Sequence, residues 1–132
     1  MNYEVVIGIE IHCELKTKTK MFSGAPTSFG KPANTCVNEI DLGHPGTLPS
    51  LNKEAVKKGV QACAAFHLEI DPLLKFDRKN YYYSDLPKGF QITQETKPIP
   101  VGIYGTFDYE CNNEIKQVKI NNIHLEEDAA SL

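Results

Sequence analysis

The sequence predicts an α+β fold: a mainly antiparallel sheet with one long helix packed on it and long loops. Three observations predict it. Residues 3–15 alternate apolar and polar side chains, residues 52–67 repeat apolar side chains at helical spacing, and residues 103–120 alternate on both sides of an Asn-Asn pair. Alternation is typical of half-buried strands, and a spacing of three or four residues is typical of a helix face.

Residues 3–15 are predicted to form the first strand. Its apolar face is rich in β-branched side chains, which favour strands, and consists of Tyr3, Val5, Ile7, Ile9, Ile11, Cys13 and Leu15. Cys13, and Cys63 further along the chain, lie in apolar patterns, so both are expected to be small core residues.

The helix is predicted to follow a loop-rich region, residues 16–50, which ends in the turn-forming segment LGHPGTLPS. Asn52 is a good N-cap, Glu54 suits the first helical turn, and Pro72 prevents a long continuation. The apolar positions of this helix are Ala55, Val56, Val60, Ala62, Cys63, Phe66 and His67.

A β-hairpin is predicted around Asn112-Asn113, because asparagine tolerates the positive φ angles of a tight turn. Its first arm contains Ile103, Phe107, Tyr109 and Cys111, and its second contains Ile115, Val118 and Ile120. The second arm is expected to continue into residues 124–128.

Size and composition limit the classes of function. The 132 residues are 41% hydrophobic and 23% charged, which is typical of one folded domain. The net charge of -3 argues against this chain being the main electrostatic contact to a nucleic acid. Four cysteines without a CxxC pair argue against a zinc knuckle. Without a signal peptide or a membrane-length apolar run, we expect no membrane association and a cytoplasmic location.

Residues 75–91, KFDRKNYYYSDLPKGFQ, combine cations with three consecutive tyrosines. Ammonium and guanidinium groups bind phosphates and aromatic rings stack on bases, so the segment suits an anionic, partly planar ligand such as a nucleotide. A tyrosine-rich packing corner with surface lysines explains the same residues. The chain has neither a P-loop nor the GxGxxG and GxSxG motifs.

Two acidic clusters are candidates for a cation site. In a strand, Glu10 and His12 share a face, and an imidazole and a carboxylate there can bind a metal or act as an acid–base pair. In HLEED (124–128), His124, Glu126 and Asp128 would face one way and Glu127 the other. Oxygen ligands favour Mg²⁺. Glu10, His12 and Glu126 can converge on one ion, although exposed acidic strand ends with salt bridges explain both clusters as well.

Four blocks in this order resemble the N-terminal part of the B subunit of the glutamyl-tRNA(Gln)/aspartyl-tRNA(Asn) amidotransferase, the GatB family. The blocks are IGIEIHCELKTKTKMFS, LGHPGTLPSLN, KFDRKNYYYSDLPKGFQIT and IHLEEDA. The resemblance implies that residues 1–132 are the N-terminal part of a larger catalytic domain. It also implies that the rest of that domain and a helical tRNA-binding tail are absent, so this chain alone is expected to be inactive.

The resemblance implies a carbon–nitrogen ligase that acts with an amidase partner and a small third subunit. Such an enzyme uses Mg²⁺ and ATP to phosphorylate the side-chain carboxylate of a misacylated Glu-tRNA(Gln) or Asp-tRNA(Asn). Ammonia, released from glutamine by the amidase, travels through a channel and displaces the phosphate. The protein's task is then positioning and charge neutralisation.

By matching positions, the resemblance assigns three groups of site residues. The metal ligands are Glu10, His12 and Glu126. Residues at the channel mouth and phosphate pocket are Glu127, Lys79 and Lys88. Further ligand-binding residues in the same signature are Arg78, Tyr81, Tyr82, Asp85 and Gln91.

The sequence also departs from the family's pattern. Some members carry a CxxC pair before the LGxPG turn, where this chain has Asn38 and Asp41, so a structural zinc ion is not expected here. Ser84 replaces a usual proline and Phe90 a usual tyrosine. Two other functions remain open: a non-catalytic scaffold that docks the amidase and shapes the channel, and an unrelated metal-dependent phosphoesterase.

Overall fold

A computed structural model describes residues 3–84, 86–94 and 100–127 of the chain. Within these ranges lie one helix, α1 (Lys53–Ala65), and the strands β1 (Glu69–Ile70), β2 (Asp77–Asn80), β3 (Phe90–Thr93), β4 (Gly102–Cys111) and β5 (Glu114–Ile123). All of the strand pairings described are antiparallel. The α+β prediction is therefore confirmed.

The strands form two sheets, one with the order β1-β4-β5 and one in which β2 pairs with β3. The β4–β5 hairpin turns at Asn112 and Asn113, whose φ angles are 55° and 60°. Two successive residues in the left-handed region match the twist of the arms, so the predicted hairpin is confirmed. Its second arm ends at Ile123, so its predicted continuation is wrong for residues 124–127, and Asp128 lies outside the described residues.

Helix α1 begins where the sequence predicts. The Asn52 side-chain oxygen accepts hydrogen bonds from the backbone N–H groups of Glu54 and Ala55, at 3.0 and 3.3 Å. These bonds satisfy two donors that have no partner inside a helix. The helix ends before His67, which has a left-handed φ of 56°. No helix in the described part of the chain combines the length and the apolarity needed to cross a membrane.

The core lies where α1, the β4–β5 sheet and the segment after β5 meet. Its buried cluster consists of Cys63, Leu68, Val101 and Leu125. Burial raises the pKa of the Cys63 thiol, which favours the neutral, apolar form of this side chain. Gly59 of α1 leaves room for Leu125, because an added Cβ would lie 3.0 Å from the leucine Cδ2. Helix α1 and Leu125 therefore pack closely, and the acidic residues Glu126 and Glu127 follow directly after this contact.

The predicted strand at residues 3–15 is wrong in the described structure, where this segment forms no strand. The side chains of Tyr3, Val5, Ile7, Ile9 and Ile11 are 79–86% exposed, and Cys13 is exposed as well. Alternation supplies the propensity for a strand, but a strand also needs a neighbouring backbone to pair with. None of the described strands provides that neighbour.

Candidate functional site

The segment after β5 carries two predicted site residues, Glu126 and Glu127, to the edge of β3. Two backbone hydrogen bonds hold it there: the N–H of Leu125 donates to the Gln94 side-chain oxygen, and the N–H of Glu127 donates to the Ile92 carbonyl, both at 2.8 Å. The buried Leu125 side chain anchors the segment in the core. The positions of both acids therefore depend on core packing.

Glu127 forms an ion pair with Lys88 at 2.5 Å, and only 16% and 6% of the two side chains are exposed. The second oxygen of Glu127 accepts from the backbone N–H of Ile92 at 3.3 Å, and the Gln91 amide donates to the Glu127 carbonyl at 2.6 Å. Charge-assisted hydrogen bonds between buried groups are short and directional. The structure thus brings together three predicted site residues: Lys88, Gln91 and Glu127.

Glu126 has different partners from Glu127 and meets the first predicted cluster. One of its oxygens lies 3.2 Å from His12 Nδ1, while His12 Nε2 lies 3.8 Å from Glu10. The other oxygen of Glu126 accepts a hydrogen bond from the Thr93 hydroxyl at 3.4 Å and lies 3.5 Å from His124 Nε2. Segments from the two ends of the described chain therefore meet at one carboxylate.

The donor types in this cluster, carboxylate and imidazole, are ones that divalent metals accept. Their geometry does not form a metal site, because the two carboxylates contact different nitrogens of His12 and so do not converge on one point. Within the described ranges, no group of three or more His, Cys, Asp or Glu side chains is arranged to hold a metal ion. The assignment of Glu10, His12 and Glu126 as metal ligands stays a prediction.

Two cations flank the ring of Phe90. The Arg78 guanidinium carbon lies 4.6 Å and the Lys88 ammonium 5.4 Å from its centroid. Arg78 and Lys79 are neighbours on β2, where both are exposed and Lys79 lies opposite Gln91 in the β2–β3 ladder. The cations and the aromatic ring are therefore grouped around this one short β-ladder.

A cleft of ≈ 170 Å³ lies beside this ladder. One wall is the loop before α1, represented by His44 and Thr47, and the other contains Arg78, Lys88 and Phe90. Guanidinium and ammonium groups next to an aromatic face suit a ligand with an anionic group and an apolar or planar part. The cleft is lined by two of the predicted cations and by Phe90, and its lining, among the described residues, includes none of the three tyrosines. Binding of an anionic, partly planar ligand by residues 75–91 stays a prediction.

The tyrosines of the same signature occupy different environments. Tyr81 is partly buried and its backbone N–H donates to the Gly89 carbonyl at 3.1 Å. Tyr82 is 94% exposed. Asp85, another predicted ligand-binding residue, lies outside the described residues. The binding roles of these three side chains stay predictions.

Comparison with known proteins identifies the family. Residues 5–132 match the model of the GatB/GatE catalytic domain. The chain belongs to this family. It is 58% identical over 128 residues to the B subunit of the aspartyl/glutamyl-tRNA(Asn/Gln) amidotransferase of Mycoplasma mobile, and the match covers 97% of this chain and 26% of that protein.

Two further relatives carry the same name. The protein of Mesoplasma florum is 53% identical over 129 residues, 98% of this chain and 26% of its own length. That of Geobacillus thermodenitrificans is 52% identical over 132 residues, 100% of this chain and 27% of its own length. The chain thus spans about a quarter of the length of the curated relatives it matches, and the resemblance to the GatB family is confirmed.

The candidate site contains two residues that the sequence analysis missed. Thr93 is 0% exposed, and its hydroxyl donates a hydrogen bond to Glu126. Gln94 is 3% exposed; its side-chain oxygen accepts from the Leu125 N–H, and its side-chain amide donates to the Lys75 carbonyl at 2.8 Å. The signal in the sequence was three polar residues in the segment FQITQ, which is otherwise apolar. Buried polar side chains require partners, so such residues mark a network.

Proposed function

We propose that the chain is the N-terminal part of the B subunit of a glutamine-dependent amidotransferase. The enzyme converts misacylated Glu-tRNA(Gln), Asp-tRNA(Asn) or both into Gln-tRNA(Gln) and Asn-tRNA(Asn). The observation that carries this proposal is the family match over residues 5–132, together with relatives at 52–58% identity that are named as this component of the enzyme. The proposed partners are the amidase, the small third subunit, and the misacylated tRNA. The proposed cofactors are ATP and Mg²⁺, and the proposed location is the cytoplasm.

The proposed reaction has two steps. A side-chain carboxylate oxygen of the aminoacyl-tRNA attacks the γ-phosphorus of ATP, and ADP leaves. The nitrogen of ammonia then attacks the acyl carbon, loses a proton, and inorganic phosphate leaves with the carboxylate oxygen. Both steps concentrate negative charge on oxygen atoms, so positioned cations and hydrogen-bond donors stabilise them.

The charged residues of the chain fit these demands. Arg78 and Lys88 line one cleft, where the exposed Arg78 is suited to bind an anionic phosphate group and Lys88 is paired with Glu127. The Lys88–Glu127 pair places a donor and an acceptor side by side in a largely buried position. Glu127 is therefore suited to accept a hydrogen bond from ammonia and the proton that the nitrogen loses, and Lys88 to balance the charge.

The test uses the full-length protein in complex with the amidase and the small third subunit. Glu126→Gln removes the charge that lies between His12 and His124 and keeps the shape of the side chain. Because Glu126 is a proposed Mg²⁺ ligand, we expect ATP-dependent phosphorylation of Glu-tRNA(Gln) to fall about tenfold to a hundredfold, while glutamine hydrolysis by the amidase continues. The matched control is Glu114→Gln, in an exposed residue beside the hairpin turn.

The outcomes separate the candidate functions. A wild-type complex that forms no Gln-tRNA(Gln) or Asn-tRNA(Asn) from the misacylated forms would contradict the proposed function. Normal phosphorylation by the Glu126→Gln complex would show that Glu126 is not part of the phosphorylation site. That result, with amidase binding retained, would favour the scaffold function.

A further inference from the structure

The side chain of Asp41 is the hub of a hydrogen-bonded cluster in the loop before α1. Only 10% of it is exposed. The Ser23 hydroxyl lies 3.0 Å from both carboxylate oxygens, the backbone N–H of Asn38 donates to one of them at 3.0 Å, and the Lys20 ammonium lies 3.3 Å from the other. The carboxylate thereby joins the residue 20–23 segment to the turn that begins at Asn38.

This turn is closed at both ends. Asn38 accepts at its side-chain oxygen from the N–H groups of Ile40 and Asp41, at 3.0 and 3.3 Å, and the N–H of Gly43 donates to the Ile40 carbonyl at 3.1 Å. Asx turns of this kind fix the path of the chain over a few residues. The position of Gly43 therefore depends on the turn held by Asp41.

Gly43 lies directly against Lys88. An added Cβ at Gly43 would be 2.7 Å from Lys88 Cβ and 3.0 Å from Lys88 Cα, and the φ of +68° also disfavours any other residue. The ammonium at the other end of Lys88 is held by Glu127. Lys88 thus lies against the turn at its Cα and Cβ and is held at its charged end by the ion pair.

We infer that Asp41 is a positioning residue for Lys88, acting through the close contact between Gly43 and the Lys88 backbone. The inference rests on the proposed function, in which Lys88 serves the amide-forming reaction. When Asp41 is removed, Ser23, Asn38 and Lys20 lose their common acceptor and the turn can move away. Lys88 then loses its support, and its short, directional pair with Glu127 loosens.

The test is a double-mutant cycle in the complete amidotransferase complex, built with the full-length protein. We expect Asp41→Ala to lower ammonia- and glutamine-dependent amidation of Glu-tRNA(Gln) by roughly tenfold to a hundredfold, because a misplacement of about 1 Å can have that effect. Glutamine hydrolysis by the amidase should not change. Asp41→Ala should cause no further loss in a Lys88→Met background, because coupled residues are not additive.

Three further variants sharpen the test. Gly43→Ala leaves Asp41 intact and pushes on Lys88, so it should reproduce the loss, also if Asp41→Ala fails to fold. Asp41→Asn keeps an oxygen acceptor and should recover part of the rate. The control is Thr35→Val, which removes a 2.7 Å hydrogen bond to Pro32 in the same loop without touching Gly43 or Lys88.

Full amidation by Asp41→Ala and Gly43→Ala, or equal losses from Asp41→Ala with and without Lys88, would overturn the inference. Wild-type rates for Lys88→Met would overturn it too while leaving the proposed function intact. A wild-type complex without amidation would instead refute the proposed function.

Discussion

Lys88 and Glu127 are two charged side chains that the fold has largely removed from water. Their mutual attraction and the hydrogen bond from the Ile92 N–H to the Glu127 carboxylate offset the loss of hydration. The net contribution of such a pair to stability is small, whereas a single unpaired member is strongly destabilising. A net gain in stability therefore does not account for the pair, which agrees with the role proposed for it at the site.

We predict that Glu127→Gln lowers the free energy of unfolding by about 3–5 kcal/mol, because Lys88 is left buried without its counter-charge. Lys88→Met should be similarly unfavourable. The double variant should be less destabilised than the sum of both. Urea unfolding of the full-length protein measures all three, and additive losses would show that the two groups do not interact.

Among the secondary-structure elements, helix α1 has the clearest link between its sequence and its tertiary surroundings. Its N-cap, Asn52, uses the side-chain oxygen for the helix and the amide nitrogen for the preceding segment. That nitrogen donates to the Thr19 carbonyl at 3.0 Å, the Thr19 hydroxyl at 2.9 Å and the Lys20 carbonyl at 3.2 Å. One side chain thus both starts the helix and fastens it to the loop.

Substitution can separate the two roles of the Asn52 side chain, capping the helix and binding the preceding segment. Asn52→Asp keeps the capping oxygen and loses the donors, whereas Asn52→Ala loses both. We expect Asn52→Ala to lower the free energy of unfolding by about 1–2 kcal/mol. The Asp variant should fall between Ala and the parent in urea unfolding. Equal stability of Asp and Ala variants would mean that the cap contributes nothing.

At the scale of the whole molecule, the described structure leaves an apolar strip uncovered. Val5, Val6, Ile7, Ile9 and Ile11 are 79–85% exposed, and an exposed strip rich in β-branched residues is a template for pairing with another chain. The same strip ends at His12, which reaches Glu126. Association through this strip would therefore also affect the position of His12 beside Glu126.

We predict that the 132-residue chain associates through this strip and that the double variant Ile7→Lys/Ile9→Lys is less associated, because it adds charge and removes apolar surface. Size-exclusion chromatography over a range of concentrations measures the change. Glu14→Lys, in the same segment, is the charge control. Unchanged elution of the double variant would mean that the chain does not associate through this strip.

The elements that could be predicted are those decided locally. Asn52 marks the start of α1, and the Asn112-Asn113 turn sets the pairing of β4 with β5, because caps and tight turns depend on a few neighbouring residues. Residues 3–15 show the opposite case. Their alternation is a strand pattern, but pairing is non-local, and no strand forms there in the described structure.

The residues of the candidate site also divide into those that the sequence could predict and those that it could not. The residue types of Glu126, Glu127 and Lys88 and their place in ordered family blocks were enough to nominate them. The supporting residues Thr93 and Gln94 were not nominated: the segment FQITQ shows that they are polar, but only the structure shows that they are buried and therefore need partners.

The sequence by itself therefore determined the family, the start of α1, the central hairpin and the inventory of charged residues. Only the tertiary structure decided that Glu127 pairs with Lys88, that Glu126 meets His12, and that Gly43 lies against Lys88. Composition and spacing report which groups are available and which local turns they favour. Contacts between distant segments depend on core packing around Leu125 and on backbone pairing, which no short stretch of sequence encodes alone.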